Sequence, residues 1–455
     1  MVFSSIEFLL YFLPAFFILY GITPKNMKNV TLLSGSLIFY ALGEPRHLVL
    51  LMLSVLSNYF VGLHLQPVKG NRKSKNRFQK NWKKLLFIAA IAGNVGCLAF
   101  FKGRTDQAGL PLGISFYTFQ ILSYLIDVYR GDIRRERSFL NLAVYITMFP
   151  QLISGPIVSY GELRQPIRER QMTAESLQEG LKVFTVGLVW KVLLADRIGL
   201  LWREVQVTGF ESISTPLAWL AALAYSMEIY FDFYGYSLMA IGLGRMMGFR
   251  LPENFKHPYM ARSVRDFYRR WHITLGSWFR KYVYIPLGGN RRGMTRTVLN
   301  LLAVWMLTSL WHGSTVNFFI WGGSLWFLIV LERLLEKTGV GKRLKVIPHL
   351  YLWIVIPITW MCFAITDVSQ LQIYLGRMFG LVEAINVRAG DWEKALTNYW
   401  PLFGAALLSC TPAIQKLYRR WKDTIPGMLV LAALFWICVW RIAVEGENPF
   451  MYFRF

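Results

Sequence analysis

Leu48-Val49-Leu50-Leu51-Met52-Leu53-Ser54-Val55-Leu56-Ser57-Asn58-Tyr59-Phe60-Val61-Gly62-Leu63-His64-Leu65 contains no Asp, Glu, Lys or Arg, and the chain beyond it turns abruptly basic. As helix, an apolar run of about 20 residues spans the hydrocarbon core of a bilayer. The block that follows holds Lys69, Arg72, Lys73, Lys75, Arg77, Lys80, Lys83 and Lys84, with no acidic residue among them. A helix-length apolar block closed by a purely basic one marks a membrane span that ends on the cytoplasmic side. The apolar block recurs at Ile6–Tyr20, Leu85–Phe101, Pro216–Leu243, Leu350–Ile365 and Met428–Val444. Period-two alternation is absent, which argues against a transmembrane β-barrel. The expected fold is all-α: a polytopic membrane protein with roughly a dozen transmembrane helices plus re-entrant and interfacial helices. Neither a linker nor an internal repeat is visible, so residues 1–455 are read as one integral-membrane domain.

Composition supports this. The chain is 55% hydrophobic and only 17% charged, against about a quarter charged in soluble domains. A formal net charge of +24 would suit nucleic acid, but the basic residues lie in short runs between apolar blocks. Lipid headgroups are therefore the expected partner, and nucleic acid is not. Cys97, Cys362, Cys410 and Cys438 all lie in apolar stretches without metal-ligand spacing. They are read as small buried hydrophobes, and no metal site is expected.

Charge also threads the topology. Lys25 and Lys28 follow the first helix, which lacks signal-peptide features and is expected to stay, so the N-terminus is placed outside. Arg130–Arg137, Lys337–Lys345 and Arg419–Lys422 are further cytoplasmic turns, and the basic stretch Arg250–Arg296 reads as a cytoplasmic or interfacial layer. The charge-balanced Asp367–Lys394 and the C-terminus fall outside. Asn141–Val158 is apolar but interrupted by Pro150, Gly155 and Pro156. It is expected to be re-entrant and to wall a cavity, because irregular backbone survives at membrane depth only against protein or water.

Of six histidines, two sit in an aromatic, otherwise apolar setting and four are set aside. His47, His64, His257 and His349 lie at predicted helix ends or loops. His312 stands in Leu310-Trp311-His312-Gly313-Ser314-Thr315-Val316-Asn317, between the apolar segments Val298–Trp311 and Val316–Leu331. A short hairpin would put this imidazole within the bilayer, where an ionisable group is a functional candidate. The competing reading is a histidine bonded to a neighbouring helix. General-base chemistry needs a group with a pKa near neutrality, and imidazole suits that role. No Gly-x-Ser-x-Gly elbow or positioned cysteine offers a nucleophile, so base-assisted attack is the simpler chemistry.

His272 stands in Asp266-Phe267-Tyr268-Arg269-Arg270-Trp271-His272-Ile273-Thr274. On one helix, Tyr268, Trp271, His272 and Trp278 would share a side, leaving Arg269, Arg270 and Arg280 for phosphates or lipid. Trp311, Asn317, Asp232, Arg269, Arg270 and Trp271 are the candidate contacts to substrate or donor. The tail Glu447–Phe455 is dense in aromatics; it reads as an interfacial anchor, or alternatively as presenting the Tyr452 phenol as an acyl relay.

Taken in order, several blocks resemble the membrane-bound O-acyltransferase family, and within it the alginate O-acetyltransferase branch. They are Leu110-Pro111-Leu112-Gly113-Ile114-Ser115-Phe116-Tyr117-Thr118-Phe119-Gln120, Phe149-Pro150-Gln151-Leu152-Ile153-Ser154-Gly155-Pro156, Tyr230-Phe231-Asp232-Phe233, Leu251-Pro252-Glu253-Asn254-Phe255, Trp271-His272-Ile273, Tyr284-Ile285-Pro286-Leu287-Gly288-Gly289-Asn290 and Leu310-Trp311-His312-Gly313. The branch usually carries a carboxylate where this chain has Leu238. The resemblance implies helices around a central tunnel, with His312 catalytic and His272 supporting. It implies an acyl-thioester donor such as acetyl-CoA with no bound cofactor, an envelope-polysaccharide acceptor and an extracytoplasmic acetyltransferase- or esterase-like partner, at the bacterial cytoplasmic membrane. D-alanyl transfer towards teichoic acid is the close alternative. A transporter or flippase is the different class, disfavoured by scarce intramembrane charge and the lack of an inverted repeat.

Overall fold

The computed structural model describes residues 1–65, 77–103, 109–153, 155–338, 347–446 and 448–451. All regular structure among them is helical. Among the described residues, four helices are long and apolar enough to cross a bilayer, judged by length and composition: Pro45–Leu65, Asn81–Lys102, Val316–Glu336 and Ile425–Glu445. Glu7–Ile22 and Pro348–Ala364 are shorter apolar helices.

Chain contacts divide the protein into two compact units, each discontinuous in sequence. The first comprises Met1–Phe184, Tyr236–Pro252 and Glu445–Phe455. Its core is aromatic, with Phe3 stacked on Tyr236 at 4.7 Å and Phe8, Phe39 and Phe149 packed around it. The segment expected to be re-entrant forms two short helices, Phe139–Thr147 and Phe149–Leu152, broken at Met148. The longer is about 14 Å at 1.5 Å per residue, too short to cross alone. Buried Glu136 holds the chain just before it, accepting from the Arg137 and Ser138 amides at 2.8 and 2.9 Å, from Arg168 and from the Tyr160 hydroxyl.

The second unit comprises Thr185–Gly235 and Glu253–Val444, and it contains both candidate histidines. Its central hairpin pairs the helices Gly293–His312 and Val316–Thr338. A Cβ on Gly322 would lie 2.0 Å from Ser309 Oγ, so the bare glycine lets the two backbones close, as small residues do between membrane helices. These helices measure about 30 and 34 Å, the thickness of a hydrocarbon core. The expected short hairpin is thus a full-length one, and its apex gains no burial from shortness.

A second expectation also changes. The stretch around His272 is not one helix but two, Val264–Arg270 and Ile273–Phe279, broken at Trp271 and His272. The break follows from the backbone of His272, which is left-handed at φ 43° and ψ 55° and cannot continue a right-handed helix.

Candidate active site

His312 is the last residue of its helix and is 8% exposed. Its burial comes from aromatic rings. Centroids of Trp311, Trp321, Phe363 and Phe318 lie 4.8, 5.0, 5.2 and 6.3 Å from the imidazole. The turn itself does not call for glycine at 313, whose φ of 175° is open to any residue. Space is what requires glycine: a Cβ would meet the Phe318 ring at 2.3 Å.

Asn317 holds the far wall of this cage. Its side-chain amide donates to the carbonyls of Cys362 and Phe363 at 3.3 and 3.0 Å, and its Oδ1 accepts from Thr315 Oγ1 at 2.6 Å. Those carbonyls belong to the last turn of the helix Ile347–Ala364, where backbone acceptors lack intrahelical donors. The role of Asn317 here is therefore to fix Phe363 against His312.

His272 is 4% exposed. Phe233 meets its ring edge-on at 4.7 Å, and Trp311 lies 6.3 Å away. Trp311 therefore packs on both histidines. Around the left-handed residue, the Ile273 amide donates to Asn254 O at 2.9 Å and the Lys256 amide to Arg270 O at 3.0 Å. Cross-links on both sides are what such a conformation needs to persist. Burial pushes the His272 pKa down to about 3, so the ring is neutral at physiological pH.

The remaining candidates divide. Trp271 is buried and packs on Trp360 at 4.9 Å, which in turn neighbours Trp321 and Phe363. It belongs to the same aromatic cluster. Arg270 is committed to Asp266 through Nε and Nη2, both at 3.1 Å, whereas Arg269 is exposed. Asp232 lies in an ion pair with buried Lys191 at 2.7 Å, and Asp196 shares that ammonium at 2.6 Å. Tyr452 lies outside the described residues. His47, His64, His257 and His349 have partners in Glu44, Phe60 O, Gln415 and Arg262. Among the described residues, no group of three or more His, Cys, Asp or Glu could hold a metal.

Two residues were not singled out from the sequence. Lys191 had a signal, a lone cation in an apolar stretch. Asn254 had only its place in the Leu-Pro-Glu-Asn-Phe block, because nothing local shows that its side chain reaches Thr274 and His272.

The arrangement offers two buried imidazoles packed on one tryptophan ring, which suits proton transfer to or from a bound substrate. The chain is also similar to known proteins. Probable alginate O-acetylase AlgI of Pseudomonas putida is 32% identical, covering 100% of both chains. Peptidoglycan O-acetyltransferase of Helicobacter pylori is 32% identical over 100% of this chain and 98% of its own. Teichoic acid D-alanyltransferase of Bacillus subtilis is 27% identical over 55% of this chain and 67% of its own. Residues 32–338, which include both histidines, match the family model for MBOAT. This chain belongs to the membrane-bound O-acyltransferase family.

Proposed function

We propose that this acyltransferase moves an acetyl group from a cytosolic thioester, acetyl-CoA, to a hydroxyl of a cell-envelope polysaccharide, with His312 as general base. The observation that carries the reading is the pair of buried histidines packed on Trp311 in a chain that aligns end to end with named O-acetylases. Acetyl is preferred to D-alanyl because the D-alanyltransferase match covers only about half of the chain.

In the step proposed, the hydroxyl oxygen attacks the thioester carbonyl while His312 takes its proton. The new C–O bond forms, the C–S bond breaks, and the imidazolium returns the proton to the leaving thiolate. The cage excludes water, which would otherwise hydrolyse the thioester. Exposed Arg269, in the basic stretch Arg250–Arg296, suits the phosphates of the donor. The acceptor polymer lies outside the cytoplasmic membrane, where an acetyltransferase- or esterase-like partner presents it to the site.

The test follows labelled acetate into envelope polysaccharide in cells producing the parent chain or His312→Ala at equal membrane levels. Loss of the base should lower incorporation by about 10²–10⁴-fold. Parent-level incorporation by a normally inserted His312→Ala protein sinks the assignment.

A further inference from the structure

Asn254 is 1% exposed, and its Oδ1 lies 2.6 Å from Thr274 Oγ1 and 3.3 Å from the Thr274 backbone nitrogen. A backbone N–H can only donate, so the amide atom facing it is the oxygen and not the nitrogen. The same oxygen lies 3.3 Å from His272 Nδ1. An amide oxygen has no proton to give, so the hydrogen on that contact belongs to Nδ1. A neutral imidazole carries a single N–H, which leaves Nε2 with its lone pair.

The surroundings keep the ring neutral. Phe233 from the helix Thr215–Met246 and Trp311 from the helix Gly293–His312 face it, and neither ionises. The latter helix also brings His312, whose ring packs on Trp311, and Arg296 in its first turn, while Asp232, beside Phe233, is paired with Lys191. Asn254 and Thr274, on the segments that clamp His272, carry no charge. Nε2 is buried without a hydrogen-bond partner among the described residues. A buried lone pair left unpaired is costly, so a site that keeps one is poised for a donor brought by a ligand.

We propose that Asn254 is a positioning residue of the acyl transfer: it holds His272 as the Nδ1–H tautomer, so that Nε2 accepts a hydrogen bond from the substrate hydroxyl and orients it. The reaction arm rests on the function proposed above, but the tautomer arm does not. One residue does two jobs, since the Asn254 carbonyl also receives the Ile273 amide that holds the left-handed turn.

The experiment uses full-length protein in lipid nanodiscs with ¹³C,¹⁵N-labelled histidine, read by magnetic resonance. His272→Gln identifies the signal by its loss. The expected signal is neutral and protonated at Nδ1 at pH 7. Asn254→Leu removes the acceptor at similar volume; it should convert the signal to the Nε2–H form or a mixture, and lower polysaccharide acetylation by about 10²-fold. Asn254→Asp restores an acceptor and should restore the Nδ1–H form. Thr274→Val, milder for folding, should give a mixture by loosening the amide. An Nε2–H signal in the parent overturns the proposal even if no variant folds. An unchanged tautomer in folded Asn254→Leu also overturns it. So does normal acetylation by His272→Gln, which leaves the reading of His312 as base standing.

Discussion

At the scale of the residue, His272 combines two costs, a left-handed backbone and a fully desolvated imidazole. The second has a thermodynamic signature. The folded-state pKa, about 3, lies below the ordinary 6.5. Between those values the unfolded chain binds a proton that the folded chain refuses. The contribution of neutral burial is therefore fully present above about pH 6.5 and is lost as the pH falls towards 3. Replacement by Gln removes the titration while keeping a polar side chain of similar reach. The thermal midpoint of the parent in detergent should fall more steeply between pH 7 and pH 4.5 than that of His272→Gln. Parallel slopes would show that the imidazole is not neutral in the folded protein.

At the scale of the element, the helical run from Ala174 to Thr208 is interrupted by a π-helical turn, Trp190–Ala195. Such bulges interrupt the regular hydrogen-bond ladder and are frequent at functional positions. Here the turn contains Lys191, 1% exposed, between Asp196 and Asp232. Asp232 is next in sequence to Phe233, the ring that packs on His272. Lys191→Met should deprive Asp232 and Asp196 of the ammonium that they share, costing about 3–5 kcal/mol. Adding Asp232→Leu should recover part of that loss, because it removes the more deeply buried of the two carboxylates. Thermal unfolding of the single and double variants checks this, and a double variant as unstable as the single one contradicts it. The sequence made the class of these elements legible, since uncharged runs such as Leu48–Leu65 admit little but membrane helix. It also made His312 and His272 legible, through their ordered aromatic blocks. Backbone breaks were less visible. The kink at Trp271–His272 depends on cross-links to Asn254 and Arg270 that no local pattern encodes. The full length of the His312 hairpin was hidden because Thr297 and Asn300, polar in sequence, are buried inside the helix; Thr297 Oγ1 donates to Gly293 O and the Asn300 amide to Gly289 O.

At the scale of the whole molecule, charge sets the orientation, and His312 lies at the end of its helix away from basic residues. Arg291, Arg292 and Arg296 stand at the start of the helix Gly293–His312, and basic residues follow Val316–Thr338 at Lys342, Arg343 and Lys345. Both ends of the hairpin base are thus cationic and belong on the cytoplasmic face by the positive-inside rule. The apex, Gly313–Thr315, is uncharged and about 30 Å from that base along the helix, close to the thickness of the hydrocarbon core. We propose on this ground that His312 sits near the external boundary, so that the thioester would have to be brought towards it. Single cysteines introduced at Arg292 and at Ser314, in a chain whose four native cysteines are replaced, separate the two faces. A membrane-impermeant maleimide added to intact cells should label Ser314→Cys and spare Arg292→Cys until the membrane is opened. Labelling of Arg292→Cys in sealed cells would invert the orientation and place the base on the donor side, so that the acceptor rather than the donor would have to travel.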